Sequence, residues 1–340
     1  NAQTLRGISI LSNRFNYTLN TNIANCSVVL DLYNAENKIV KDEILVELNG
    51  KIVTTISVEL APYEYKTVTS CEFTVDSVKL WSLNSPNLYT VKYLTSTDDL
   101  FDRIGFRTIE TKNKKIYLNG EELIIKGINR HEENTENGMA FPPALMQRDI
   151  DIIKKMNCNS IRGSHYPQNK IFIDMLDEQG ITFWSEIPIW GSGFSAQALS
   201  NEVVISRGLK MHEEMLKQYY NHPSIIIWGL HNEILSSAKE GYEISKIYYD
   251  YVKKEDPSRL VVYATRLPLT DICYEFSDVI CVNRYVGWYT NEIEDWDLFC
   301  EDLDEYLKSI NQSHKAIIMS EFGSASIYGY STFDDIRWTE

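Results

Sequence analysis

The hydrophobic pattern changes once along this chain of 340 residues, and the change limits the folds that the chain can adopt. Up to residue 108, short apolar runs alternate with polar positions and are separated by turn residues. In one such run Ile52, Ile56, Val58 and Leu60 share a parity, which is typical of a half-buried strand. From residue 109 onward, apolar runs alternate with amphipathic helical segments, the pattern of parallel strands joined by helical crossovers.

The sequence therefore predicts a multidomain β plus α/β protein, with an antiparallel β-sandwich over residues 1–108 and a (β/α) TIM barrel over residues 109–340. A barrel of this kind has eight strands in about 250 residues. Seven candidate strands are visible: Leu123–Asn129, Ser160–His165, Ile181–Ile187, Ile225–Leu230, Leu260–Ala264, Val279–Val282 and Ala316–Ser320. We expect the chain to be truncated before the eighth strand, and the unpaired edges to favour a homo-oligomer and to lower the activity of this chain alone.

The composition excludes several classes of partner. A net charge of −15, from 33 basic and 48 acidic residues, argues against nucleic acid, because a phosphate backbone needs a basic face. No apolar run approaches the roughly 20 residues of a membrane span, and no secretory signal pattern begins the chain, so we expect a cytoplasmic protein. The six cysteines form no CxxC pair, so we expect no zinc site and no required cofactor. The sequence leaves open whether the protein needs a divalent cation.

Polar side chains recur at the C-terminal ends of the predicted barrel strands, which is where the active site of such a barrel lies. They end six of the strands, in Asn129–Glu132, Ser164–Pro167, Glu186, His231–Glu233, Asn283–Tyr285 and Ser320–Phe322. Glu233 and Glu321 end the fourth and seventh strands, on roughly opposite sides of the barrel mouth. Hydrolysis of a glycosidic bond needs two carboxyl groups, one protonated and one ionised, about 5–5.5 Å apart for retention and about 6.5–9.5 Å for inversion.

The same motifs resemble glycoside hydrolase family 2, the β-galactosidase and β-glucuronidase family. The stretches that carry the resemblance are Gly127–Glu132, Arg162–Pro167, Asn221–Ser224 with Trp228 and Asn232-Glu233, and Ser320–Gly323. In the first domain Trp81, Pro86, Leu88 and Tyr89 look like the marker of the family's immunoglobulin-like sandwich, and Gly105-Phe106-Arg107 resembles the entry to its barrel. The resemblance implies that the sandwich is immunoglobulin-like.

The resemblance also implies a retaining double displacement on a β-linked saccharide. Glu233 would be the general acid and then the base, and Glu321 the nucleophile that forms a covalent glycosyl-enzyme. Tyr285 would orient the nucleophile through its hydroxyl, and Arg162 would bind a carboxylate, that of Glu321.

The resemblance implies substrate binding for three further residues. Asn232 would hydrogen-bond the sugar 2-hydroxyl, and His131 and His165 would bind sugar hydroxyls or the oxocarbenium-like transition state. Trp288 and Trp190 follow the sixth and third strands, and each is a candidate stacking platform or a packing residue. The sequence differs from the family pattern at His231, where the family often has glycine. This side chain could crowd the site or add a contact to it. His222 is expected to be structural, and His212 and His314 to lie at the surface.

The sequence favours an exo-β-galactosidase, with a β-glucuronidase of the same family as the alternative. Trp184–Pro188 and Ser324–Tyr328 resemble a group of bacterial β-galactosidases, whereas Asn283–Tyr289 resembles both kinds of enzyme. Two further interpretations stay open: a non-catalytic carbohydrate-binding protein, and a metal-dependent barrel enzyme that uses His131, His165 and Glu186.

Overall fold

A computed structural model describes residues 6–134, 136–191, 193–323 and 330–333 of the chain. Its first part is a sandwich of two antiparallel sheets, with strand orders β1-β2-β5, where β6 also pairs with β2, and β4-β3-β7-β8. The strands are β1 (Ile8–Asn20), β2 (Ile23–Asn34), β3 (Val40–Leu48), β4 (Lys51–Leu60), β5 (Tyr65–Thr69), β6 (Phe73–Val75), β7 (Tyr89–Leu94) and β8 (Asp99–Ile104). Their inward side chains form a core of their own, in which Phe106 packs edge-on against Phe15, Tyr17 and Tyr89.

Strand β4 shows where simple alternation fails. Ile56, Val58 and Leu60 are buried as predicted, but Ile52 is 59% exposed. The pairing of β3 with β4 shifts by one residue between Val46 and Glu47, so that Glu47 lies opposite Ile52. Such a bulge inserts one extra residue, and every side chain beyond it changes face.

The second part is a parallel sheet of seven strands, preceded by a small antiparallel sheet of β9 (Ile109–Lys112), β10 (Lys115–Leu118) and β11 (Glu121–Glu122). The seven strands are β12 (Gly127–Arg130), β13 (Ser160–Gly163), β14 (Thr182–Glu186), β15 (Ile225–Asn232), β16 (Leu260–Thr265), β17 (Val279–Asn283) and β18 (Ala316–Glu321). The helices are α1 (Pro143–Lys155), α2 (Lys170–Gln179), α3 (Ala196–Leu199), α4 (Glu202–Tyr219), α5 (Lys239–Glu255) and α6 (Trp296–Ser309), with short 3-10 turns at Tyr274–Phe276 and Ile293–Asp295. All eight residues of β15 are buried, as expected for a strand covered on both faces.

The strands follow one another in chain order from β12 to β18, the topology of a (β/α) barrel. Among the described residues no strand lies between β18 and β12. Instead the carboxamide Nδ2 of Asn129 donates across this gap to the carbonyl of Ser320 over 2.9 Å. The predicted fold class, a sandwich followed by an incomplete TIM barrel with seven strands, is confirmed. Among the described helices, none combines the length and the apolar character that a bilayer span requires.

Residues at the two ends of α2, the helix that follows the second barrel strand, determine where this helix begins and ends. The side chain of Asn169 accepts a hydrogen bond from the N–H of Ile171 and caps the start of α2. Gly180 ends α2 at φ +68°, and a Cβ there would lie 2.2 Å from the carbonyl oxygen of Leu83. Glycine is therefore needed for both the left-handed conformation and the close approach of the sandwich.

The buried arginine Arg107 joins the sandwich to the barrel. Its guanidinium donates to the carbonyl oxygens of Pro223, Ser258 and Ile225 over 2.7–3.1 Å. These carbonyls lie at the N-terminal ends of β15 and β16, the end of the barrel opposite the predicted site. The sandwich thus contacts the barrel floor and leaves the C-terminal strand ends free for chemistry.

Candidate active site

Arg162, at the end of β13, is the centre of a polar network at the C-terminal strand ends. The residue is 5% exposed, and its Nε and Nη2 atoms each donate to the carboxylate of Glu186 over 3.1 Å. Nη1 donates to Oε1 of Glu321 over 2.7 Å, and Nη2 donates to Oδ1 of Asn232 over 2.8 Å. Burial alone would lower the pKa of Arg162, but the carboxylates of Glu186 and Glu321 outweigh it and raise that pKa.

Glu321 ends β18, and both of its carboxylate oxygens accept hydrogen bonds. Oε1 accepts from Arg162, and Oε2 accepts from the hydroxyl of Tyr285. Burial, together with the bond to Glu321 and the nearby charge of Glu233, raises the pKa of Tyr285, so its hydroxyl stays protonated and donates. The two donors hold this carboxylate in one orientation, and the guanidinium of Arg162 compensates its charge.

Glu233 follows β15 in the left-handed region of backbone conformation, at φ +58°. A residue other than glycine is uncommon there, and such conformations concentrate at functional sites. The Nδ2 atom of Asn283 donates to Oε1 of Glu233 over 2.9 Å, and the backbone N–H of Glu233 donates to the carbonyl of Ala264 over 2.9 Å. Neither contact brings a positive charge to this carboxyl group, in contrast to Glu321.

Asn232 and Asn283 connect the two carboxylates. Oδ1 of Asn232 accepts from Arg162 and from Nδ2 of Asn283, which also reaches Glu233. Because its oxygen is taken by two donors, the Nδ2 group of Asn232 is left to donate, as the role implied by the family resemblance requires. The hydroxyl of Ser320 donates to Oδ1 of Asn283 over 2.7 Å. Asn283 is thereby also bonded to the residue that precedes Glu321.

Two histidines and a tryptophan form an aromatic row beside the network. His165 Nδ1 lies 2.6 Å from Oε1 of Glu186, so this nitrogen carries the proton and Nε2 is left free to act as an acceptor. The ring of His131 contacts His165 edge-on at 5.5 Å, and the ring of Trp190 stacks on His165 at 5.4 Å. Burial and the neighbouring His165 lower the pKa of His131.

A cavity of about 950 Å³ opens beside this network, bordered by β12 and β18. Arg162, Tyr285, Trp288 and Glu321 contribute to its lining. Trp288 packs near Gly323, whose added Cβ would lie 3.2 Å from the indole. The structure thus brings seven of the eight candidate site residues into one bonded network or its cavity wall, with Glu233 joined to it through Asn283, and it places His131 beside His165.

His231 does not reach the site. Its Nε2 atom lies 2.8 Å from the hydroxyl of Ser245 on α5, and its ring stacks on Tyr263 at 4.7 Å. Consecutive strand residues point to opposite faces, so His231 faces the helices while Asn232 faces the barrel axis. The residue therefore neither crowds the site nor adds a contact to it.

Sequence reasoning assigned no role to Asn283 and offered Glu186 only as a metal ligand. The signal for both was their place at strand ends, but the partners that define them come from other strands. Glu186 is fully buried; burial would raise its pKa, but Arg162 and His165 lower it. Its oxygens accept from Arg162 and His165, so protein donors already occupy the lone pairs that a metal would use.

Among the described residues, Asp174, Asp177 and His222 form a group whose possible ligand atoms lie within 4.8 Å of one another. It lies near the barrel floor, away from the strand ends. His222 Nδ1 lies 2.5 Å from Asp177, and the ammonium of Lys170 lies 3.1 Å from His222 Nε2. His222 is thus part of a structural ion cluster, in agreement with the expectation from the sequence.

Comparisons with known proteins agree on one family. The profile of the glycosyl hydrolases family 2 TIM barrel domain matches residues 109–337, and the glycosyl hydrolases family 2 profile matches residues 9–107. A β-glucuronidase of Bacteroides fragilis is 32% identical over 271 residues, which cover 75% of this chain and 37% of that protein. A β-glucuronidase of Paenibacillus borealis is 29% identical over 78% of this chain and 47% of its own length.

Solved structures give the same result. The β-galacturonidase of Eisenbergiella tayi bound to galacturonate superposes with a TM-score of 0.91 and 32% identity, over 98% of this chain and 60% of that one. A β-glucuronidase of Ruminococcus gnavus in complex with uronic isofagomine superposes with a TM-score of 0.81 and 25% identity over 98% of this chain and 58% of that one. The chain therefore spans about a third to three fifths of the relatives that it matches. With both profiles matched in order along its length, this chain belongs to glycoside hydrolase family 2.

Proposed function

We propose that the protein is a retaining exo-β-glycosidase that removes terminal β-linked hexuronic acids, with β-glucuronides as its substrates. One observation carries the chemistry: two carboxyl groups at barrel strand ends have opposite electrostatic surroundings and share one hydrogen-bond network. Glu321 accepts from the cationic Arg162 and from Tyr285, whereas Glu233 accepts from the neutral amide of Asn283. The carboxylate bonded to a cation is suited to act as the nucleophile, and the one bonded to a neutral amide is suited to exchange a proton with the leaving group.

In the first step, Glu321 is the nucleophile. Its carboxylate attacks the anomeric carbon, and Glu233 gives its proton to the glycosidic oxygen as the bond to the leaving group breaks. Arg162 and Tyr285 donate hydrogen bonds to the carboxylate and orient it toward the anomeric carbon. Asn232 donates to the sugar 2-hydroxyl through its free Nδ2 group.

In the second step, Glu233 is the base. It takes a proton from a water molecule, whose oxygen attacks the anomeric carbon and releases Glu321 as a carboxylate. Two inversions give net retention of configuration. His131 and His165 bind sugar hydroxyls from the rim, where Nε2 of His165 is free to accept, and Trp288 stacks against the sugar from the cavity wall.

The choice of sugar rests on the relatives. The expected β-galactosidase activity has no support among them, because the relatives compared above are named β-glucuronidases and a β-galacturonidase. A β-galacturonide is the second candidate substrate, since the E. tayi enzyme gives a TM-score of 0.91 against 0.81 for the R. gnavus glucuronidase. The two sugars differ only in the configuration at C4.

The test is a substrate panel on the full-length protein with the phenyl β-glycosides of glucuronic acid, galacturonic acid and galactose. We expect turnover of the glucuronide at the highest kcat/KM, followed by the galacturonide, with galactose lowest. A preference for the galactoside would overturn the assignment to uronic acids. Binding of these sugars without turnover of any would instead favour a non-catalytic carbohydrate-binding protein.

A further inference from the structure

We propose that Trp190 forms the leaving-group subsite and that it takes planar aromatic aglycones. The inference rests on the proposed function, because a leaving group exists only if Glu233 and Glu321 act on a glycosidic bond. It concerns a residue that the mechanism above does not use.

The position of Trp190 is fixed by strand β15, which leads to Glu233. The backbone N–H of Asn232 donates to the carbonyl of Ile189 over 2.9 Å, and the N–H of Gly191 donates to the carbonyl of Asn232 over 3.0 Å. Trp190 is therefore held in register with Asn232, next to the residue that protonates the glycosidic oxygen. Its backbone is therefore placed by the strand that carries Asn232.

The indole of Trp190 is exposed, although a side chain with so large an apolar surface is usually buried. Trp190 is 52% exposed, and none of the other tryptophans that the structure describes is exposed. One face of the ring stacks on His165 with an interplanar angle of 26° at 5.4 Å. A rigidly held aromatic ring with open surface at the rim of a site marks a binding surface.

The geometry of the reaction assigns this surface to the leaving group. The sugar lies between Glu233 and Glu321, and the bond that breaks points from the anomeric carbon toward Glu233. The leaving group must then lie beyond Glu233, at the barrel mouth, where the loops after β14 and β15 are neighbours. Trp190 is in the first of these loops, and His165 separates its ring from the network around Arg162 and Glu321.

The chemistry of the loop favours an aromatic group over a second sugar. The stretch from Ile189 to Phe194 has no charged side chain, and Ser192 is its one hydroxyl. A second sugar needs several hydrogen-bonding partners, whereas an aryl group needs a flat apolar face. Stacking of aromatic rings contributes about 0.5–1.5 kcal/mol beyond burial, which corresponds to a change of roughly 2- to 12-fold in affinity.

The test compares binding of two non-hydrolysed ligands by calorimetry, phenyl thio-β-glucuronide and methyl thio-β-glucuronide, to the full-length protein. We expect Trp190→Ala to weaken the phenyl ligand by about 3- to 10-fold and the methyl ligand by less than about 2-fold, and Trp190→Phe to restore most of the loss. The matched control is Phe101→Ala, an aromatic residue of the sandwich that is 58% exposed, which should change neither affinity.

Equal weakening of both ligands would overturn the subsite, because Trp190 would then only support His165. Unchanged binding in Trp190→Ala, or no binding to the wild-type protein, would overturn it as well. Turnover of phenyl β-glucuronide by the same wild-type sample separates the two proposals. Turnover without a Trp190-dependent preference refutes the subsite alone. The preference without turnover refutes the hydrolase, and Trp190 would then be an aryl-binding surface but not a leaving-group subsite.

Discussion

Arg162 and Glu321 join the second and seventh strands of the barrel sheet through a bond of 2.7 Å between Nη1 and Oε1. The two residues are 159 positions apart in the chain. Behind Arg162, the fully buried Glu186 balances the second half of the guanidinium. The orientation of Glu321, the proposed nucleophile, therefore depends on a residue that does not touch it.

Replacing Glu186 tests this dependence. Glu186→Gln keeps the shape but leaves the buried Arg162 with one carboxylate, and removing one partner of a buried ion pair costs about 3–5 kcal/mol. We expect a loss of about 3 kcal/mol in the free energy of unfolding by urea, together with a fall in kcat larger than the change in KM. The control is Glu59→Gln, whose ion pair with Lys41 is exposed and should contribute less than about 1 kcal/mol. Equal effects of the two substitutions would contradict the role of Glu186.

Removing the nucleophile should leave a cavity that a small anion can fill. In Glu321→Gly we expect kcat on phenyl β-glucuronide to fall by at least about 10³-fold, since the enzyme loses the group that forms the covalent intermediate. Added azide should restore turnover and give the α-glycosyl azide, because the azide attacks from the face that Glu321 occupied. Proton NMR of the product identifies the anomer, and a β-azide would assign Glu321 to the other role.

Removing the acid should make the rate depend on the leaving group. In Glu233→Ala we expect kcat/KM for a methyl glycoside to fall by about 10²–10⁴-fold, the usual contribution of general acid catalysis. A dinitrophenyl glycoside should lose far less, because its leaving group departs without a proton. Azide should here give the β-glycosyl azide by attack on the glycosyl-enzyme. The same loss on both substrates would show that Glu233 does not protonate the leaving group.

Stability in acid should depend on a buried histidine remote from the site. Burial lowers the pKa of His212 on α4 to about 3, below the ordinary value near 6.5. The neutral form is thus favoured in the folded state, and its contribution is full above about pH 6.5 and is lost as the pH falls from about 6.5 toward 3, by on the order of 4 kcal/mol.

We therefore expect His212→Leu to flatten the fall in the free energy of unfolding between about pH 6.5 and 4, measured by urea titration at each pH. The exposed His314 offers the control, since His314→Leu should leave the pH dependence unchanged. A parallel pH profile for His212→Leu and the wild-type protein would contradict the assignment.

The sequence predicted the barrel better than the sandwich. Each of the seven predicted barrel strands overlaps an observed strand, although the first covers Gly127–Arg130 rather than Leu123–Asn129. A strand that is covered on both faces, such as β15, is nearly continuous in its apolar character and is therefore easy to recognise. In the sandwich, β5 and β6 are short and separate, and β8 is hard to recognise in the sequence because Asp99, Asp102 and Arg103 mask its alternation. Bulges and edge strands depend on pairing between distant segments, which one sequence does not display.

The residues of the candidate site could be predicted from the sequence, but the hydrogen bonds between them could not. Strand-end position identified Glu233, Glu321 and Arg162, yet the links through Asn283 and Glu186 needed coordinates, since Asn and Glu are common at strand ends. His212 was wrongly expected at the surface. It lies one turn after Gly208 and one turn before Leu216 on the buried face of α4, a spacing that the helical period does contain. The domain boundary, the cytoplasmic location and the homo-oligomer stay predictions.

The proposed mechanism requires Glu321 to become covalently bonded to the sugar during catalysis. A glucuronosyl fluoride with fluorine in place of the 2-hydroxyl slows the second step more than the first, so the intermediate accumulates. After peptic digestion and mass spectrometry of the full-length protein, we expect one fluoroglucuronosyl group per chain, on the peptide that contains Glu321. Labelling of a different residue, or turnover of the reagent with no labelled peptide, would contradict it.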